Sequence, residues 1–79
     1  MISLKDILTD LAKAIVDNPD QVSVSEEKDA DGNVLLTLTV APDDMGMVIG
    51  RHGKIAKAIR TVMKAAANTI KTKVTVEIK

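Results

Sequence analysis

Leu4, Ile7, Leu8, Leu11 and Ile15 recur at three- and four-residue spacing behind Ser3 and Asp6. This is the pattern of an amphipathic helix opened by a capping-box-like pair. The spacing predicts a first helix over roughly residues 3 to 17. Asn18-Pro19 should stop it, because proline cannot continue the hydrogen-bond ladder and restricts the residue before it. Val22 and Val24 then alternate with Ser23 and Ser25, and Val34, Leu36, Leu38 and Val40 alternate again beyond the turn-forming run Asp29-Ala30-Asp31-Gly32-Asn33. Two such runs predict an antiparallel hairpin. Ala41-Pro42-Asp43-Asp44 breaks the second strand and supplies an N-cap for a short helix over about Met45 to Ile49, which Gly46 weakens.

After Gly53 the period is helical once more, with Ile55, Ile59, Val62, Met63, Ala66 and Ile70 within about a third of the circumference. Lys57, Arg60, Lys64 and Lys71 fall on the opposite side. Ala58, Ala65 and Ala67 flank the apolar stripe and would let another helix approach closely, either within the domain or from a second copy. Asn68 to Thr72 form a plausible helix end, and Val74, Val76 and Ile78 alternate with Thr75 and Glu77 as a last strand. The expected order is α-β-β-α-α-β in one α+β domain, residues 1–79, with no repeat or linker.

Charge changes this picture. The formal net charge is zero, yet residues 1 to 46 carry three lysines against ten carboxylates, while residues 47 to 79 carry eight basic residues against Glu77 alone. The two portions therefore stand at −7 and +7, and the field near the second helical pattern is what a polyanion would meet. Seventy-nine residues give a thin core. With no cysteine and one histidine, neither disulfides nor the common zinc arrangements can reinforce it. No apolar run is long enough to span a bilayer and no secretory signature opens the chain, so the expectation is a soluble cytoplasmic protein.

The densest candidate chemistry is Val48-Ile49-Gly50-Arg51-His52-Gly53-Lys54. Two glycines let the backbone turn sharply and let a ligand approach it, at the start of a helix whose dipole favours an anion. Arg51, His52 and Lys54 add side-chain donors. A Walker loop is excluded because Val48 stands five residues before Gly53 and Ile55 follows Lys54, and the dinucleotide fingerprint fails on spacing. A catalytic His52 would need a partner that the chain lacks. Asp29-x-Asp31-Gly32-Asn33 has no downstream glutamate or flanking helices for calcium and reads as a turn. Met45, Met47 and Met63 are expected mainly as core filler, with an adaptable contact surface as the other possibility.

The V-I-G-x-x-G unit between two helices, within an α-β-β-α-α-β order, resembles a type II KH domain, whose GXXG loop clamps backbone nucleotides of single-stranded nucleic acid. The Ile55-Ala56-Lys57-Ala58-Ile59-Arg60-Thr61 helix and the small size are similar to the single-KH bacterial proteins. The resemblance implies a three-stranded sheet packed against helices and binding of single-stranded RNA. It also implies the RNA-binding residues Ile49, Gly50, Arg51, His52, Gly53, Lys54 and Lys57, and no cofactor, metal, small-molecule substrate, membrane attachment or catalysis. It further implies a homodimer or a complex with a second KH-bearing protein, and a post-transcriptional or RNA-chaperone role touching cell-envelope growth and cell shape. With no Phe, Tyr or Trp, base stacking on aromatics is unavailable, so affinity from one copy should be low and sequence preference slight. The rival class is a KH-fold module recruited to protein contacts through Met47 and the alanine-flanked helix.

Overall fold

The computed structural model describes residues 3–79. Its elements are α1 (Leu4–Ile15), β1 (Ser23–Lys28), β2 (Val34–Thr39), α2 (Met45–Ile49), α3 (Lys54–Thr69) and β3 (Val74–Ile78), with single 3₁₀ turns at Pro19–Gln21, Pro42–Asp44 and Arg51–Gly53. This is the expected order. The Ser3 hydroxyl accepts from the Asp6 N–H at 3.3 Å, which closes the first turn of α1. The helix ends at Ile15, short of the expected residue 17. Val16 leaves it in extended conformation and packs, partly buried, against the core beside Val22. Its extended backbone brings that side chain to the core before the expected helix end.

β1 and β2 form the antiparallel hairpin, with Val24 opposite Leu38 and Lys28 opposite Val34. Around its turn, Asp29 Oδ1 accepts from the N–H groups of Asp31 and Asn33, and the Asn33 amide donates to Asp29 Oδ2 at 3.0 Å. These bonds, led by the one from the Asn33 side chain, hold the Asp29 carboxyl below its ordinary pKa. β3 lies parallel to β2 on its other side, so β2 is the central strand. Leu36 pairs with Val76 and Val34 with Val74. Because successive strand residues face opposite ways, Val24, Val34, Leu36, Leu38 and Val76 share the inner face with the helices. Ser23, Ser25, Thr39, Thr75 and Glu77 face outward and are exposed.

The core closes with Leu4, Leu8 and Ala12 of α1, Val48 of α2 and Ile59, Met63 and Ala67 of α3. Here the sequence expectation for α3 needs correcting. Ile55, Val62 and Ile70 are 40%, 46% and 42% exposed, whereas the small Ala56 and Ala67 are buried. Two neighbouring lines on the helix are apolar, and periodicity locates their average without saying which one meets the domain. The buried line is Ala56-Ile59-Met63-Ala67, with alanine at both ends where bulk would hold the helix away. Ala67 is thus core, leaving exposed Ala58 and Ala65 outside it. Met63 is fully buried and Met45 packs against the core, while Met47 is exposed.

A second correction concerns Asp44. It stands at the N-cap position of α2, but its side chain makes no capping bond there. It turns instead to Asn18, accepting on Oδ2 from the Asn18 backbone N–H at 3.0 Å and from its amide Nδ2 at 3.2 Å.

Candidate nucleic-acid interface

α2 ends as the Gly50 N–H donates to Gly46 O at 2.9 Å, and the chain then passes through one 3₁₀ turn into α3. Three residues have left-handed φ values in this passage: Gly50 (φ 75°), His52 (φ 58°) and Gly53 (φ 72°). The two glycines answer different needs. At Gly50 a Cβ would lie 2.9 Å from both Cβ and backbone N of Ile55, closer still to Ile55 Cγ1, so glycine is required for the turn to fold back on α3. At Gly53 a Cβ would meet nothing within 4 Å, so glycine serves the left-handed backbone and leaves the surface open. His52 takes its conformation without that freedom, although histidine tolerates it better than most residues.

The loop does precede a 16-residue helix. Its N–H groups are partly spent, however. Gly53 donates to Gly50 O at 3.2 Å and Lys54 to Arg51 O. An approaching anion therefore meets the side chains of Arg51, His52 and Lys54, all exposed, more than those two amides. Ile49 is exposed at the end of α2 and lines none of the hollows beside α3. Of the seven residues chosen from the sequence, Ile49 to Lys54 form the loop end and Lys57 points along the next stretch of surface.

That stretch is a groove between α3 and β3, about 390 Å³ in volume. Lys57, Arg60, Thr61 and Lys64 form its helix wall, and Val74, Thr75 and Val76 its strand wall. Through Lys64, Val74 and Thr75 it runs into a second hollow of about 510 Å³ that adds Asn68, Thr72 and Lys73. Arg60 Nε donates to Val76 O at 3.3 Å, which lays the guanidinium across the groove. Val76 faces away from β2 at its backbone, since the β2 partners bond to Lys73 O and Lys79 N–H; β3 thus presents an edge that β2 does not use, with Val76 O taken by Arg60. Among the described residues the one ion pair joins Lys79 and Glu77 at 3.9 Å, so the groove lysines and Arg60 are not neutralised by neighbours.

Arg60, Lys64 and Lys73 line these hollows but are not among the seven residues chosen from the sequence. Periodicity already puts Lys57, Arg60 and Lys64 on one side of the helix; that β3 runs beside them is a tertiary fact. At 3.6 residues per turn, the exposed apolar line Ile55-Ala58-Val62 lies about 160° round α3 from them. α3 thus carries three separate strips, one buried, one basic and facing the groove, one apolar and exposed. Among the described residues no group of three or more His, Cys, Asp or Glu could hold a metal ion, and no helix is long and apolar enough to cross a membrane.

Known proteins are similar to this chain in sequence and fold. Over 75 residues the chain is 53% identical to RNA-binding protein KhpA of Clostridium acetobutylicum, covering 95% of this chain and 99% of that protein. It is 51% identical over 73 residues to RNA-binding protein KhpA of Caldanaerobacter subterraneus subsp. tengcongensis, covering 92% and 96%. To that of Aquifex aeolicus it is 42% identical over 78 residues, covering 99% and 98%. Among solved structures, Era in complex with MgGDPNP and nucleotides 1506–1542 of 16S ribosomal RNA superposes with a TM-score of 0.66 at 16% identity. The match takes in 95% of this chain but 28% of the Era chain, and it bears on the fold alone. The family model described as KhpA/KhpB, KH domain, matches residues 5–78; with these relatives and the α-β-β-α-α-β fold, the chain belongs to the KhpA/KhpB family of KH domains.

Proposed function

We propose that this protein binds single-stranded RNA, with the sugar-phosphate backbone at the Gly50–Gly53 loop and the bases in the groove between α3 and β3. The observation that carries this reading is the continuity of the exposed loop cations with a groove walled by Lys57, Arg60 and Lys64. Arg51, His52 and Lys54 meet phosphate, and Arg60, anchored to Val76 O, offers its remaining N–H groups to base edges or its plane for stacking. The strand wall lacks aromatics, so individual bases are held weakly. The relatives named as RNA-binding proteins support the same ligand.

Weak single-site binding favours assembly, because a second site converts the next contact into an intramolecular one. The exposed line Ile55-Ala58-Val62-Ala65 supplies an apolar, uncharged strip for a second copy or for a KhpB partner. Ile55 adjoins the loop, but the Val62-Ala65 end lies away from the groove, so assembly there leaves the groove open to RNA. In the cell this corresponds to a cytoplasmic post-transcriptional regulator or RNA chaperone, paired with KhpB and acting on cell elongation and envelope homeostasis. Titrating a labelled single-stranded oligonucleotide and its duplex at two salt concentrations tests the ligand. Single-strand preference and a steep loss of affinity with salt are expected. Salt-independent binding or a duplex preference refutes it, leaving the apolar strip of α3 and a protein-contact role as the better account.

A further inference from the structure

Asp44 is the one buried polar side chain among the described residues, 1% exposed, and it bonds to nothing in the helix it precedes. Both of its hydrogen bonds go to Asn18, 26 positions earlier, in the connection between α1 and β1. A carboxylate is costly to bury without such partners. The helix that follows has five residues, too few to hold itself, and buries a single side chain, Val48. Its C-terminal end is the Gly50 turn. Apolar contact at Val48 and the partly buried Met45, and polar bonds at Asp44, therefore fix α2 on the domain.

We propose that Asp44 is a positioning residue for the Gly50–Gly53 loop: through Asn18 it sets the placement of α2, and with it the aim of Arg51 and His52. Asn18 is itself held, by Pro19 after it and by accepting the Gln21 N–H at 3.0 Å. The Asn18–Asp44 pair thus couples the α1–β1 connection to a loop far along the chain. The effect on binding rests on the RNA reading above; the effect on loop order does not.

The test compares Asn18→Ala, Asp44→Ala and Asp44→Asn with a core control in β1, Val24→Ala. Two readouts are needed: amide hydrogen exchange, and affinity for a single-stranded oligonucleotide. The expected result is faster exchange at the hydrogen-bonded loop amides of Gly50, Gly53 and Lys54 in Asn18→Ala and Asp44→Ala, with the β2 amides of Leu36 and Leu38 still protected. RNA affinity falls about tenfold with it, the scale of a hydrogen bond to a charged group. Asp44→Asn keeps an oxygen for the same two donors and recovers most of both. Wild-type loop exchange in both alanine variants, or binding losses that merely follow stability as in Val24→Ala, overturns the proposal. Should Asp44→Ala unfold, Asn18→Ala, which leaves the backbone bond in place, decides alone. If the wild-type protein binds no RNA while the loop amides still loosen, the RNA reading fails and the positioning role stands.

Discussion

Replacing each loop glycine by alanine should separate two reasons for glycine that the motif alone does not distinguish. At Gly50 the backbone lies at φ 75°, ψ 174°, a region that side chains essentially never occupy and that costs about 1–3 kcal/mol. The new methyl would also sit 2.9 Å from the Ile55 backbone N, which cannot rotate away. Overpacking of this kind adds about 1–3 kcal/mol, so Gly50→Ala should lose about 2–6 kcal/mol in all. At Gly53, φ 72° and ψ 15° with open space around the missing Cβ leave backbone strain alone, about 1–2 kcal/mol. Urea unfolding of the two variants measures the difference directly. For a domain of this size each kcal/mol shifts Tm by about 4–8 °C, so Gly53→Ala should melt cooperatively and Gly50→Ala should be barely folded. Ile55→Ala in the Gly50→Ala background should recover only part of the loss, because the main-chain clash survives. Equal stability of the two alanine variants would refute the close approach of Gly50 to Ile55.

Arg51→Asp with His52→Asp should abolish RNA binding in the oligonucleotide titration at nearly unchanged Tm, since both residues are exposed and aspartate tolerates the left-handed conformation of position 52; wild-type affinity would sink the clamp. Arg60→Leu keeps the aliphatic cover of the groove and loses the bond to Val76 O, so single-strand affinity should drop several-fold with little change in fold, checked by the same titration and by circular dichroism. Val62→Asp, at a site 46% exposed, should shift sedimentation toward monomer while a monomer-concentration RNA titration stays near wild type. Asp29 has a folded pKa below its unfolded value, so its hydrogen-bonded turn is stabilised above that range and loses this contribution as pH falls below about 4. An NMR titration should show the shift, and Asn33→Ala should raise the Asp29 pKa toward its ordinary value.

Much of this protein was legible in one dimension because its local signals agree with one another. Ser3 as a cap, Pro19 and Pro42 as breaks, alternation over 34–40 and the glycine pair each act within a few residues, and so do the forces behind them. The element order, the hairpin and the glycine turn between the last two helices followed from that range alone. What lay beyond it required the fold. Two apolar lines on α3 are equivalent to a periodicity argument, and only docking against α1 and β3 buries Ala56 and Ala67 while leaving Ile55 and Val62 outside. The basic line of Lys57, Arg60 and Lys64 becomes a groove wall because β3 returns parallel to β2 beside it, a pairing of residues some 40 positions apart. Asp44 read as a helix cap because capping is local chemistry; its partner Asn18 is 26 positions away, and a hydrogen bond across that span exists only once the helices have packed.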